Sequence, residues 1–148
     1  MGFSYRIQED GPRNAVLWID DDGQTSTGAV TPVPPGVSLI TPGQLGYVDI
    51  SRLLRAKNLR IDKIEWDING EASQFVELIW VGSAGNAVAY HMIGRANKYF
   101  KDFGGLYPPS SIGTLTGINI AAGSETSDPT VAPFNGTYTI ILYLVKSY

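Results

Sequence analysis

Ten residues, TYTIILYLVK at 137–146, constrain the architecture more than any other stretch of this chain. At the two-residue period of a strand, Ile140, Leu142 and Leu144 share one face, and Ile141, Tyr143 and Val145 share the other. Both faces are apolar. Such a strand is either central in its sheet or meets a partner on its outer face. AVLWI at 15–19 is likewise apolar on both faces and reads as an interior strand, while Phe3, Tyr5 and Ile7 alternate with Ser4, Arg6 and Gln8 as a half-buried one.

Residues 59–69 (LRIDKIEWDIN) change parity midway: Leu59 and Ile61 are apolar at odd positions, Ile64, Trp66 and Ile68 at even ones. A strand keeps its inward face only if parity holds, so the slip at Asp62-Lys63 predicts a β-bulge. Asn69-Gly70 and Asn135-Gly136 read as turns, and the acidic run Asp20-Asp21-Asp22-Gly23 as another. Strands at 75–81 and 87–93 around Ser83-Ala84-Gly85-Asn86 form a hairpin. Residues 97–103 (NKYFKDF) read as a short or edge strand, and 114–120 as a further strand. Residues 49–58 (DISRLLRAKN) form the one helical stretch, two turns at most, with Asp49 as its cap and Ile50, Leu53 and Leu54 on one face. About eight strands and one short helix predict an all-β chain, a β-sandwich or jelly roll. A length of 148 residues fits one domain over 1–148, and 17 glycines and 9 prolines supply its turns.

Two long segments, 23–48 and 104–124, contain no charge. The first includes Pro32, Pro34 and Pro35, which cannot donate a full ladder and favour an extended, polyproline-like form. An uncharged segment of this kind lies against its own sheet, a neighbouring subunit or another protein.

Composition narrows the function. The formal net charge is −3, so no global basic field attracts nucleic acid or a membrane. No cysteine is present, which removes disulfides and thiolate chemistry and agrees with assembly in a reducing cytoplasm. MGFSYRIQED lacks a signal-peptide pattern, and the longest apolar run, IILYLV at 140–145, is too short to span a bilayer. These features predict a soluble protein made in the cytoplasm.

Candidate chemistry is sparse. Consecutive Asp20, Asp21 and Asp22 lack the alternate spacing of a calcium loop. His91 is the sole histidine, in an apolar strand, and reads as structural. Asp62, Glu65, Asp67 and Glu77 invite comparison with a glycosidase pair, but Glu65 and Asp67 share the polar face of one strand. The densest basic cluster is Arg52, Arg55, Lys57 and Arg60, either a solvated face or a dock for an acidic partner. Tyr99, Phe100 and Phe103 interleave with Lys98 and Lys101, as in a stacking platform or as packing residues. The sequon at Asn135-Gly136-Thr137 has no secretory context, and no phosphate-loop, dinucleotide or nucleophile-elbow motif is present.

Four segments together resemble a family of small β-rich structural proteins of tailed bacteriophages: ELIWVGSAGNAVAYHMIG, NKYFKDFGGL, TLTGINIAAGS and GTYTIILYLVK. The family pattern is a Trp-ended strand, a turn, an aliphatic strand, a Gly-Gly-Leu-like break and a "YTI-x-L-x-L-x-K" ending. The resemblance covers mainly 60–146, and AVLWIDDDGQT fits more loosely. The chain departs from the pattern by GSETSDPTVAPFNG before the last strand, which leaves the interface residues open. The resemblance implies a virion component, a capsid decoration or cement protein; the absent triad, thiol and histidine cluster predict no enzymatic activity, cofactor or metal. Such a protein would bind the major capsid protein on the capsid surface. Uncharged 23–48 and 104–124, with 137–146 apolar on both faces, leave more apolar surface than a monomer covers and predict a homo-oligomer, a trimer at a symmetric capsid site. Arg52, Arg55, Lys57 and Arg60, with Pro32, Pro34, Pro35 and Tyr107, are the expected partner contacts. Two alternatives stay open. A carbohydrate- or receptor-binding module of a tail fibre would need Trp66, Trp80, Tyr99 and Tyr107 on a flat exposed platform, although both tryptophans fall in inward phase. A glycan hydrolase would need an acid/base pair that the sequence does not display.

Overall fold

The structure is a computed structural model that describes residues 3–21, 44–53, 58–69, 74–124 and 136–147. The strands are β1 (Phe3–Asp10), β2 (Asn14–Asp21), β3 (Gln44–Asp49), β4 (Asn58–Asn69), β5 (Gln74–Gly82), β6 (Gly85–Met92), β7 (Arg95–Tyr99), β8 (Leu115–Ser124) and β9 (Thr137–Ser147). They form two antiparallel sheets, ordered β1-β2-β9-β4-β7 and β3-β8-β5-β6. The all-β sandwich expected from the strand pattern is therefore present.

Its pairing is that of a rolled-up hairpin. β2 pairs with β9, β3 with β8, β4 with β7 and β5 with β6, and successive pairs alternate between the sheets. This is jelly-roll connectivity, with β1 added at one edge. β9 sits at the centre of the five-stranded sheet, which explains why both its faces are apolar. Its even-numbered side chains, Tyr138 to Lys146, are buried, and Thr139, Ile141, Tyr143 and Val145 are half-buried.

The core lies between the sheets. Leu17, Ile19, Leu59, Ile61, Ile64, Trp66, Ile140 and Leu142 face Val48, Val76, Leu78, Trp80, Ile118 and Ile120. The predicted bulge is present. Against β9, Ile61 pairs with Leu144 and Lys63 with Tyr143, so Asp62 is the extra residue. It keeps Leu59, Ile61, Ile64, Trp66 and Ile68 all buried despite their parity change.

Several expectations are corrected. Of the helix expected over 49–58, the described residues form a single 3-10 turn, Ile50–Arg52. Asp49 caps it by accepting from the Ser51 N–H at 2.9 Å, but Leu53 has already returned to extended backbone. Leu54, Arg55, Ala56 and Lys57 lie outside the described residues, as do 22–43, with Pro32, Pro34 and Pro35. The end of the uncharged 23–48 segment is strand β3, an element the charge pattern did not disclose. The strand expected over 97–103 is β7 at Arg95–Tyr99 followed by a 3-10 turn at Lys101–Phe103. Asp20 and Asp21 still belong to β2, and Asp21 is buried. Gly70, Asp22, Gly23 and Asn135 lie outside the described residues.

Candidate docking surfaces

β5 is buried on both faces, with Phe75, Glu77, Ile79 and Val81 on the side away from the inter-sheet core. The broad open surface of the described residues is the outer face of the five-stranded sheet. Strand register arranges its side chains in rows. Val16, Tyr143, Lys63 and Tyr99 lie across β2, β9, β4 and β7. In the next row come Arg6, Trp18, Ile141, Glu65 and Asn97, and then Ser4, Asp20, Thr139, Asp67 and Arg95.

Arg6, Lys63 and Glu65 in these rows are partnered. The Arg6 guanidinium lies 4.9 Å from the Trp18 ring centroid. Lys63 Nζ stands 2.6 Å from Glu65 Oε1, and 4.6 Å and 5.2 Å from the Tyr99 and Tyr143 rings. The Tyr143 hydroxyl donates to Glu65 Oε2 at 3.4 Å. The Lys63 ammonium is held well above its ordinary pKa, first by the hydrogen bond to Glu65 and then by that to Tyr99. Desolvation, followed by Glu65, raises the Tyr143 phenol. Two shallow depressions meet at Ile141, one of about 390 Å³ beside Trp18 and Tyr143 and one of about 510 Å³ beside Asp67 and Asn97.

A second surface grows from the bulge. At Asp62 the ladder to β9 slips, and the Asp62 carbonyl accepts from the Phe100 N–H at 2.8 Å. Ile61 and Leu106 exchange both backbone hydrogen bonds, at 2.9 and 2.8 Å. The Phe100 carbonyl accepts from Phe103 and Gly105, at 3.0 and 2.8 Å. The turn over 100–106 is thus pinned to β4 at both ends. Gly104 and Gly105 take positive φ (84° and 93°), and a Cβ on Gly105 would lie 2.7 Å from Arg60 Cδ. Phe100 turns inward, edge-on to Tyr90 with centroids 5.3 Å apart. Phe103 is presented outward at 79% exposure, and Tyr99 and Tyr107 are exposed as well.

The predicted partner residues divide accordingly. Arg60 Nε donates to Asp62 Oδ1 at 2.8 Å, and its Nη1 lies 3.4 Å from the Tyr107 hydroxyl. These bonds, that to Tyr107 first, raise the guanidinium pKa. Arg52, exposed on its 3-10 turn, instead reaches the Tyr5 hydroxyl on β1 at 3.4 Å. The four-member basic cluster is therefore not gathered at one site by its described members. Trp66 and Trp80 are 8% and 1% exposed, so the platform that needed both does not form; Trp18 is the outward tryptophan.

His91 has a carboxylate partner that the sequence did not reveal. Glu77 faces it across β5 and β6, Oε1 to Nδ1 at 3.2 Å, and Phe75 stacks on the imidazole with centroids 4.4 Å apart. A bulge at Ala89 sets this register; a regular hairpin would place Glu77 opposite Tyr90. Among the described residues, no group of three or more His, Cys, Asp or Glu is placed to hold a metal ion.

Fold and surfaces define a class: a two-sheet jelly roll with an open, aromatic sheet face and a rigid aromatic turn. Comparison with protein-family models, with curated proteins and with solved structures found no match.

Proposed function

We propose that this chain is a non-enzymatic structural protein of a tailed-phage virion, a decoration or cement protein that binds the major capsid protein of the assembled head and stabilises it. The observation that carries the reading is the turn at 100–106. An exposed phenylalanine on a backbone fixed before binding loses little entropy on docking, and aromatic anchors of this kind dominate interface energetics. Its surroundings suit an acidic protein surface: residues 98–103 hold two cations and one carboxylate, on a chain whose net charge is −3. Arg60 and Tyr107 extend the same patch. The jelly roll itself hosts viral coat and lectin domains, a fold-level analogy that adds weight without assigning a role.

In this reading the chain assembles as a homotrimer at a symmetric capsid site, and the capsid surface is its location. The test is sedimentation of the purified chain with assembled heads and, separately, with free coat subunits. Co-sedimentation with heads alone supports the reading; no binding to heads, or equal binding to free subunits, removes it.

A further inference from the structure

The sheet face adjoins the turn through β7, and its chemistry points elsewhere. We propose that the outer face of the five-stranded sheet binds a neutral oligosaccharide, laid across the strands over Trp18, Ile141 and Thr139. This inference does not rest on the head-binding reading.

Three features favour a sugar. The floor is held by pairing on both sides, because β9 and its neighbours β2 and β4 are interior strands of the sheet. Its middle is apolar where Ile141 lies beside half-buried Trp18 and Tyr143; Arg6 covers one face of the Trp18 ring and Lys63 lies 5.2 Å from the Tyr143 ring, and the apolar surface left between them suits the C–H groups of a pyranose ring. Its margins carry hydroxyl partners. Gln8 and Asn14 border the first depression; Asp67, Asn97 and Thr139 border the second. The two depressions, about 390 and 510 Å³, share Ile141 and so form adjoining subsites, each within or near the size range of small-ligand pockets.

Charge balance selects the class of ligand. The three rows hold three cations (Arg6, Lys63, Arg95) and three carboxylates (Asp20, Glu65, Asp67), with Lys63 paired to Glu65 and, at the bulge, Arg60 to Asp62. Held this way, the carboxylates act as oriented acceptors for hydroxyl groups while presenting little net field to a charged molecule. Strand addition by a protein partner is disfavoured at the adjacent sheet edges. β1 carries a bulge at Gln8, and β7 is five residues long, fully exposed and bears Arg95 and Lys98.

The test uses an array of immobilised neutral tri- and tetrasaccharides (α- and β-linked glucose, mannose, galactose and N-acetylglucosamine series) with sialylated and sulfated glycans as charged controls. Saturable binding to at least one neutral series, confirmed in solution by quenching of tryptophan fluorescence, is expected. Trp18→Ala should weaken it at least tenfold. Asn97→Ala, an exposed substitution on β7 that leaves the fold intact, should weaken it severalfold while Phe103→Ser leaves it unchanged. Absence of binding to every neutral series, binding to charged glycans alone, or binding indifferent to both Trp18→Ala and Asn97→Ala would overturn the proposal. Capture of a protein at this face in place of glycan would overturn it too.

Discussion

Single residues hold the ends of this sandwich together. Lys146 is fully buried at the end of β9, and its ammonium donates to Asp10 and, at 2.7 Å, to the Gly11 carbonyl. Its backbone N–H donates to the Arg13 carbonyl, so one residue fastens the β1–β2 turn to the sheet. Removing the carboxylate leaves a buried cation without its counter-charge. Asp10→Ala should therefore cost roughly 3 kcal/mol of unfolding free energy, read from the urea midpoint. Parity alone sends Lys146 inward with Leu142 and Leu144. Nothing nearby in sequence names Asp10 as its partner, because they meet only after β1, β2 and β9 have aligned.

Tyr138, buried on the same strand, couples stability to alkaline pH. Burial first, then the charges of Asp21 and Asp20, push its phenol far above the ordinary value of 10.0. The unfolded chain ionises this tyrosine near pH 10 while the folded chain keeps its proton. The stabilisation is thus complete below that pH and declines as pH rises beyond it. Tyr138→Phe should show a shallower loss of stability between pH 9.5 and 11.5 than the parent chain, measured by denaturant melts at each pH.

At the scale of elements, the parity rule read the alternating strands well, and it located the bulge in β4 because an apolar face must stay continuous. It failed where one strand face is not diagnostic. β3 lay hidden in an uncharged stretch, since Gly46 and Tyr47 give no clean alternation. β7 was misplaced because all five of its residues are exposed and carry no inward signal. The bulge at Ala89 also went unread, and with it the Glu77–His91 pair, because the alternation of small residues in β6 is too weak to show a slip. Close approach between elements is invisible to such rules as well. Gly82 sits where a Cβ would fall 2.3 Å from the Ile112 carbonyl oxygen, so the 3-10 turn Ser110–Ile112 packs directly on β5. The backbone on both sides is fixed by hydrogen bonds, Ser83 N–H to the Thr114 carbonyl and Ala84 N–H to the Ile112 carbonyl. Gly82→Ala should cost about 1–3 kcal/mol by overpacking, with an unchanged denaturant slope.

For the whole molecule, the expected sandwich follows from strand count and turn spacing, whereas its surfaces depended on register and turn geometry. The basic cluster at 52–60 looked like one site in sequence; in space Arg52 and Arg60 serve different strands. The aromatic run at 97–103 looked like one stripe; the turn after β7 divides it, sending Phe100 inward and Phe103 outward. An acidic molecule that concentrates cations around a fixed aromatic tip is suited to an acidic, pocketed neighbour. Mass measurement in solution should return three times the chain mass at micromolar concentration, and a monomer at that concentration would remove the trimer from the account. The most direct measurement is the occupancy of assembled heads by the chain carrying Phe103→Ser, titrated beside the parent chain. The account predicts at least a tenfold loss of affinity with the fold unchanged by circular dichroism. Equal occupancy by both proteins would contradict it.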